Sequence, residues 1–307
     1  MSYTYVAVVI GASQLGLASL AMALHFARRS RAGIAAGAAS VEDGAGAGQR
    51  RLLSGAHSVP EVLNALRRAS NSDTAQALVW LGLERVQPLE RGALIEALRR
   101  EPWVRQTIDG ARSFLWWKRL AAARTLSLIA GPEDRTAILQ LLSDAHPAVQ
   151  SAATACLSRY ADDELLIRVI DGLSGASSAV RTYQLGVLRG YGSRVGPMLL
   201  DRLRADAPPH KLYAYIHAAA VLEDPECMVR VASLSTHEHP EVRVAVARVL
   251  RLRSGDASQV KLLSMLRDAD WRVRAQAARA LTGIHDERTV RELSRALQSL
   301  LMRRGRF

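Results

Sequence analysis

From Tyr5 to Ala27 the chain runs for 23 residues without a formal charge, with Gln14, His25 and a few serines as its clearly polar members. A spanning helix needs about 20 apolar residues. The pattern therefore predicts one transmembrane helix over residues 5–27, inside an anchor segment 1–31. Met1 to Thr4 hold no Lys or Arg, whereas Arg28, Arg29 and Arg31 follow the span directly. By the positive-inside rule the short N-terminus faces out and everything after Arg28 lies in the cytoplasm, giving a single pass through the inner (plasma) membrane. A secretory signal would carry its positive charge on the other side, and the small-x-small run Ala21-Met22-Ala23 is where cleavage would be expected if it were one. Pairs such as Ala7 with Gly11 and Ala12 with Gly16 would let another helix approach closely within the bilayer.

Residues 32–58 show no sustained apolar period and are rich in Gly, Ala and Ser, which reads as a flexible tether. Helical periodicity begins after Pro60, a good first-turn residue, with Val62, Leu63 and Leu66. A second helix is expected after the capping residue Asp73, carrying Ala77, Leu78 and Leu81, and a third after Pro88, carrying Leu94, Ile95 and Leu98.

Downstream, the apolar pattern repeats itself. Stepping by 31 from Ile138 gives Val169, Leu200, Val231, Leu262 and Leu293. The same step links Leu126, Leu157, Leu188, Ala219, Leu250 and Leu281, and also Val149, Val180, Lys211, Val242 and Val273. Between these apolar columns runs a column of turn and cap residues, His146, Ser177, Pro208, His239 and Asp270, each followed by a helix start. Every unit is thus a helix, a short turn and a second helix. A single pair cannot bury its apolar face, so neighbours must stack, and the expected product is a curved rod with a long concave face.

The pattern resembles the HEAT repeat family in its short bacterial form, also seen in phycobilisome lyase-type proteins. The resemblance rests on Leu263 to Leu281, where a leucine-rich helix leads to Asp268 and Asp270, then Val273-Arg274, Ala277-Ala278 and Ala280-Leu281. His239-Pro240-Glu241-Val242-Arg243 and His146-Pro147-Ala148-Val149 match nearly as well. Two units depart from it: Lys211-Leu212-Tyr213 lacks the Val-Arg pair and looks shifted by one residue, and around Trp117-Lys118-Arg119 the Ala121 to Leu126 half survives. The expected fold is all-α, a right-handed α-solenoid of HEAT-like helix pairs over 59–307, clearest over 133–303, preceded by one transmembrane helix and a linker.

Composition agrees with an all-helical chain, since aromatics are 5% and Ala, Leu, Arg and Val dominate. The formal charge is +12, and from Glu241 to Phe307 fifteen Arg and Lys face seven Asp and Glu. Such a surface suits anionic partners. Two cysteines, Cys156 and Cys227, in different repeats form neither a disulfide framework nor a CxxC motif, which fits a reducing compartment.

No Gly-rich phosphate loop, nucleophile elbow or paired-carboxylate motif is present. His237-Glu238-His239 is the one cluster that looks like metal ligands, but His239 falls in the turn column with His146, so the repeat already accounts for it. Arg181, Arg243 and Arg274 share a column, as do Asp144, Asp206 and Asp268. In HEAT families, the resemblance implies, such positions form a ladder tying the turns of adjacent repeats together. Trp116 and Trp117 point about 100° apart on a helix, so one is a candidate partner-binding anchor, together with Arg248, Arg251 and Arg279 of the basic C-terminal part. The expectation is a non-enzymatic, membrane-tethered interaction scaffold on the cytoplasmic face, with no metal, cofactor or small-molecule substrate. Its partner would be another, membrane-associated protein, for instance a membrane glycosyltransferase to which it is an accessory subunit, with anionic lipid as a further contact. The alternative is a nucleic-acid-binding or DNA-repair HEAT-like protein with a basic concave face, for which an apolar N-terminus is an awkward addition.

Overall fold

The computed structural model describes residues 60, 62–63, 90–251, 256–282 and 289–294. The expected anchor (1–31), the linker (32–58), most of the first two predicted helices and the basic tail from Arg303 lie outside them. Among the described residues every regular element is helical: α1 Arg91–Arg100, α2 Pro102–Asp109, α3 Trp116–Ile129, α4 Arg135–Leu142, α5 Pro147–Cys156, α6 Asp163–Gly172, α7 Ser178–Arg189, α8 Gly192–Leu200, α9 Pro209–Leu222, α10 Pro225–Ser233, α11 Pro240–Leu250, α12 Asp256–Met265 and α13 Trp271–Leu281. No helix among them is long and apolar enough to cross a membrane.

The second helix of each pair begins at Trp116, Pro147, Ser178, Pro209, Pro240 and Trp271, every one 31 residues after the last. Proline suits that position because its fixed φ is helical and its missing N–H is one that the first turn cannot use. The residue before it closes the turn. His146 accepts the Ala148 amide on Nδ1 at 3.2 Å, and Asp270 accepts the Arg272 amide at 2.7 Å.

The described chain divides into two compact units, one reaching Leu165 and adding Ala176–Tyr183, the other made of Leu166–Gly175 and the residues from Gln184 onward. In the first, α3 packs along α5, and α4 along α5. In the second, α9 packs on α11 and α11 on α13, while the first helices α8 and α10 pack on each other. Like helix against like helix is the neighbour pattern of stacked repeats, and it forms an α-solenoid arrangement within each unit.

The core columns follow the expected register with one slip, and Leu293 at the end of its column is half-buried. Leu126, Leu157, Leu188, Ala219, Leu250 and Leu281 are all buried, as are Ile138, Val169, Val231 and Leu262. Each large aliphatic side chain so buried contributes about 1.5–3 kcal/mol. In the unit that holds Leu200 and Lys211 the buried positions are instead Leu199 and Leu212, so the first helix is turned one residue back and the second one residue forward. The close approach of α8 and α10 has its own requirement. A Cβ on Gly196 would lie 2.5 Å from Asp224 Oδ2, and the Cys227 thiol lies 3.4 Å from the Gly196 carbonyl.

Candidate functional site

The polar atoms of the turns are largely occupied in joining repeats. Arg119, on the second turn of α3, donates to the Ser113 and Phe114 carbonyls, both at 2.9 Å, and reaches forward to both oxygens of Asp144 at 2.5 and 3.0 Å. Arg243 does the same four repeats further along the sequence: its partners are the His237 and Glu238 carbonyls at 2.7 and 3.0 Å and both Asp268 oxygens at 2.7 Å. Asp144 and Asp268 in turn accept the amides of His146 and Asp270, each at 2.8 Å. The carboxylate is thus the knot of the turn. Burial pushes the Asp144 carboxyl up, but Arg119 and the His146 amide more than offset that and hold it below the usual carboxylate range. Asp268 is held down likewise by Arg243 and the Asp270 amide against its own desolvation.

In both pairs the arginine precedes its carboxylate by 25 residues. Gln150 occupies the arginine position after Arg119 and makes only the local contact, donating to the Asp144 carbonyl at 2.6 Å; 25 residues on from it stands Gly175. Leu212 occupies the position before Arg243, and 25 residues on from it stands His237. Where the arginine is missing, so is the aspartate. At Arg181 and Asp206 both residue types are present at this offset in the sequence; Asp206 pairs with Arg204 of its own turn at 3.1 Å, and Arg181 donates to the Ala176 carbonyl at 2.8 Å.

His237 therefore stands in the aspartate column. Its Nδ1 accepts the His239 amide at 3.1 Å, the contact that Asp144 and Asp268 make with an oxygen. With Nδ1 accepting, the ring proton sits on Nε2, which donates to the Ala205 carbonyl at 2.9 Å. Both nitrogens of this buried ring are engaged, whereas Glu238 and His239 point outward and pair with each other at 3.3 Å. Among the described residues no group of three or more His, Cys, Asp or Glu side chains is placed to hold a metal ion.

Two surfaces remain for contact with something else. In the first unit Phe114 is 88% exposed, Trp117 53% and Trp116 41%. Trp116 lies flat on His146, with ring centroids 4.1 Å apart and planes 3° from parallel, and meets Trp117 edge-on at 6.2 Å. Neither tryptophan is core, so the geometric conflict between adjacent helix positions is resolved by exposing both. Phe114, one of the large aromatics of the sequence but not among its anchor candidates, is the most exposed of the three; its place in the three-residue turn before α3 is the signal that would have found it.

In the second unit His217, Arg248 and Arg279 recur at the 31-residue step on the exposed sides of α9, α11 and α13, with Arg251 just past the end of α11. Arg248 donates to the Tyr213 hydroxyl at 3.0 Å. Glu241, at the start of α11, is the one acid on these three helices and faces Arg272 at 3.5 Å. Arg248, Arg251 and Arg279 thus belong to the second unit and Trp116 and Trp117 to the first. No curated protein matches the chain. The HEAT repeat family model matches residues 261–286, so the chain is similar to HEAT-repeat proteins through the repeat that carries Asp268, Val273, Arg274 and Leu281.

Proposed function

We propose that this protein is a non-enzymatic interaction scaffold, tethered to the membrane by its N-terminal span with the helical repeats on the cytoplasmic side. Its partner in this reading is another protein, and an accessory role beside a membrane enzyme such as a glycosyltransferase fits the layout. The observation that carries the reading is the arginine row of the second unit: Arg248 and Arg279 at equivalent places on α11 and α13, exposed, with Arg251 beside them, and with Glu241, two turns before Arg248 and already facing Arg272, as the one acid on these helices. A row in which arginines outnumber the single acid on a repeat framework suits an acidic segment of a partner, steering it in and fixing register. Tethering raises the effective concentration, so each contact can be weak.

The test is a pull-down of the full chain from detergent-solubilised membranes, compared with an Arg248→Glu, Arg279→Glu variant. A partner lost in the variant and retained by an Arg230→Glu control, at an exposed position on α10 outside the row, supports the reading; a partner held equally by both places the docking surface elsewhere. Release of the chain by nuclease or moderate salt would favour the nucleic-acid alternative, whose motivation is the same basic surplus. Deleting Met1 to Arg31 is expected to free the protein from washed membranes, and continued sedimentation would remove the tether.

A further inference from the structure

The aromatic turn of the first unit has the chemistry of a bilayer contact rather than of a core or a protein pocket. Phe114, Trp116 and Trp117 fall within four residues, in the turn that feeds α3 and in its first two positions, and all three are exposed. A monomeric surface rarely gathers large apolar side chains in this way without a use for them. The patch is held ready: the Trp116 ring is fixed flat against His146, itself pinned by its bond to the Ala148 amide, and Trp117 abuts it edge-on. Phe114, at 88% exposure, stands clear of its surroundings, so it has no walls of its own to recognise a shaped ligand.

The charges around the rings indicate what meets them. Arg112 and Lys118 flank the three aromatics and are both exposed, and from Gly110 to Pro132 the sequence contains no acidic residue. Amphipathic indoles favour the headgroup level of a bilayer, and cations beside them are drawn to acidic lipid, each contributing about 1 kcal/mol. A phenyl ring projecting beyond the indoles adds apolar area at the depth where acyl chains begin.

We infer that the segment Arg112–Lys118 docks on an anionic phospholipid surface, with Phe114 and Trp117 entering the headgroup layer and Arg112 and Lys118 meeting phosphate. This rests on the proposed membrane-side placement only in requiring a bilayer within reach. It adds a second contact that would set how the first unit lies against the membrane.

The experiment uses the full chain with Phe114→Cys carrying an environment-sensitive nitrobenzoxadiazole probe, and a control probe at Ser158→Cys, an exposed position in the same unit. Native Cys156 and Cys227 are buried, with thiols pushed up to about 12, so the label goes to the introduced site. Vesicles are phosphatidylcholine alone, or with roughly one part in four phosphatidylglycerol, made with and without brominated acyl chains. The expected result is a blue shift and bromine quenching at position 114 on the phosphatidylglycerol vesicles, none at 158, and loss of both signals in an Arg112→Glu, Lys118→Glu background.

If the chain sediments with vesicles while the probe at 114 stays in water, the lipid contact is overturned and the tether stands. If the chain sediments with neither vesicle, both fall. Quenching that survives the charge reversal overturns the anionic part of the inference. A photo-crosslinking residue at 114 that joins a polypeptide and not phospholipid in native membranes makes the patch a protein site and overturns it as well.

Discussion

Arg243 and Asp268 meet side-on through two hydrogen bonds of 2.7 Å, while the remaining guanidinium nitrogen holds the two carbonyls of the turn behind it. Four acceptors from two consecutive turns thus converge on one side chain. The pair is nearly buried, with 12% and 11% of the side chains exposed. Removing one member of such a pair strands the other charge away from water, so Arg243→Ala is expected to destabilise the protein by about 3 kcal/mol. The neighbouring repeat supplies the natural replacement, Leu212 with His237. The double variant Arg243→Leu, Asp268→His is therefore expected to be more stable than either single variant, and a thermal-melting double-mutant cycle measures this coupling.

Acid should loosen these turns in a defined direction. Asp144 and Asp268 both bind their proton at lower pH in the folded chain than in the unfolded one. Between the two values the unfolded state carries more protons, so stability is present above the ordinary carboxylate range and is lost as pH falls below about 4 towards the folded values. Urea titrations across that range should show the drop, and Asp268→Asn should flatten it while lowering stability at neutral pH.

His237→Ala leaves the His239 amide and the Ala205 carbonyl without their partner in a buried turn, at a cost of about 1–3 kcal/mol. Glu238→Ala, on the surface, is expected to be neutral. The triple change of His237, Glu238 and His239 to Ala should then match His237→Ala alone in denaturation midpoint. Metal analysis of the wild type offers an independent check: stoichiometric iron or zinc lost in the triple variant would contradict the role assigned to this turn.

Leu262 is 1% exposed on α12. Leu262→Asp buries a carboxylate with no partner at a cost of several kcal/mol, and because stacked repeats support one another the loss should extend past its own helix pair. Hydrogen exchange would show lowered protection in α11 and α13 as well. Arg279→Ala, on the exposed side of α13, should leave the melting temperature within about 1 °C of wild type.

Both thiols should resist modification while the protein is folded. With values pushed up from 9.0 to about 12, the thiolate fraction at neutral pH falls roughly a thousandfold, before access is counted. Alkylation by iodoacetamide should accordingly be slow until denaturant is added.

Much of this was legible in the apolar columns, because burial acts at a fixed step: Leu126 to Leu281 are buried at every repeat. The slip at Leu199 and Leu212 was visible only as the odd polar Lys211, since the sequence does not say which neighbour turns inward. Reading columns at a single step finds the arginines and the aspartates, yet not that they pair at an offset of 25, because pairing crosses from a second helix to the turn before the next one. For the same reason Arg119 is legible as a ladder residue only once its partner Asp144 is seen, although it stands in a unit that looks degraded. His237 hides among the candidate ligands because an imidazole nitrogen substituting for a carboxylate oxygen leaves no compositional trace. Exposure of Trp116 and Trp117 depends on what packs around them, which no periodicity encodes.

The 25-residue couple also decides where this chain can be cut and rejoined. A helix followed by its short turn and partner helix looks like the natural module, but its borders fall between Arg243 and Asp268 and would sever them. Counted instead from the start of one second helix to the cap before the next, as from Pro209 to His239, each segment contains its own donor and acceptor positions whole, here Leu212 and His237. Excising that segment leaves every remaining couple with the partner it already has, whereas excising a helix-turn-helix unit of the same length brings strangers together. The charges thus give the array a grammar offset by half a word from the one its helices spell.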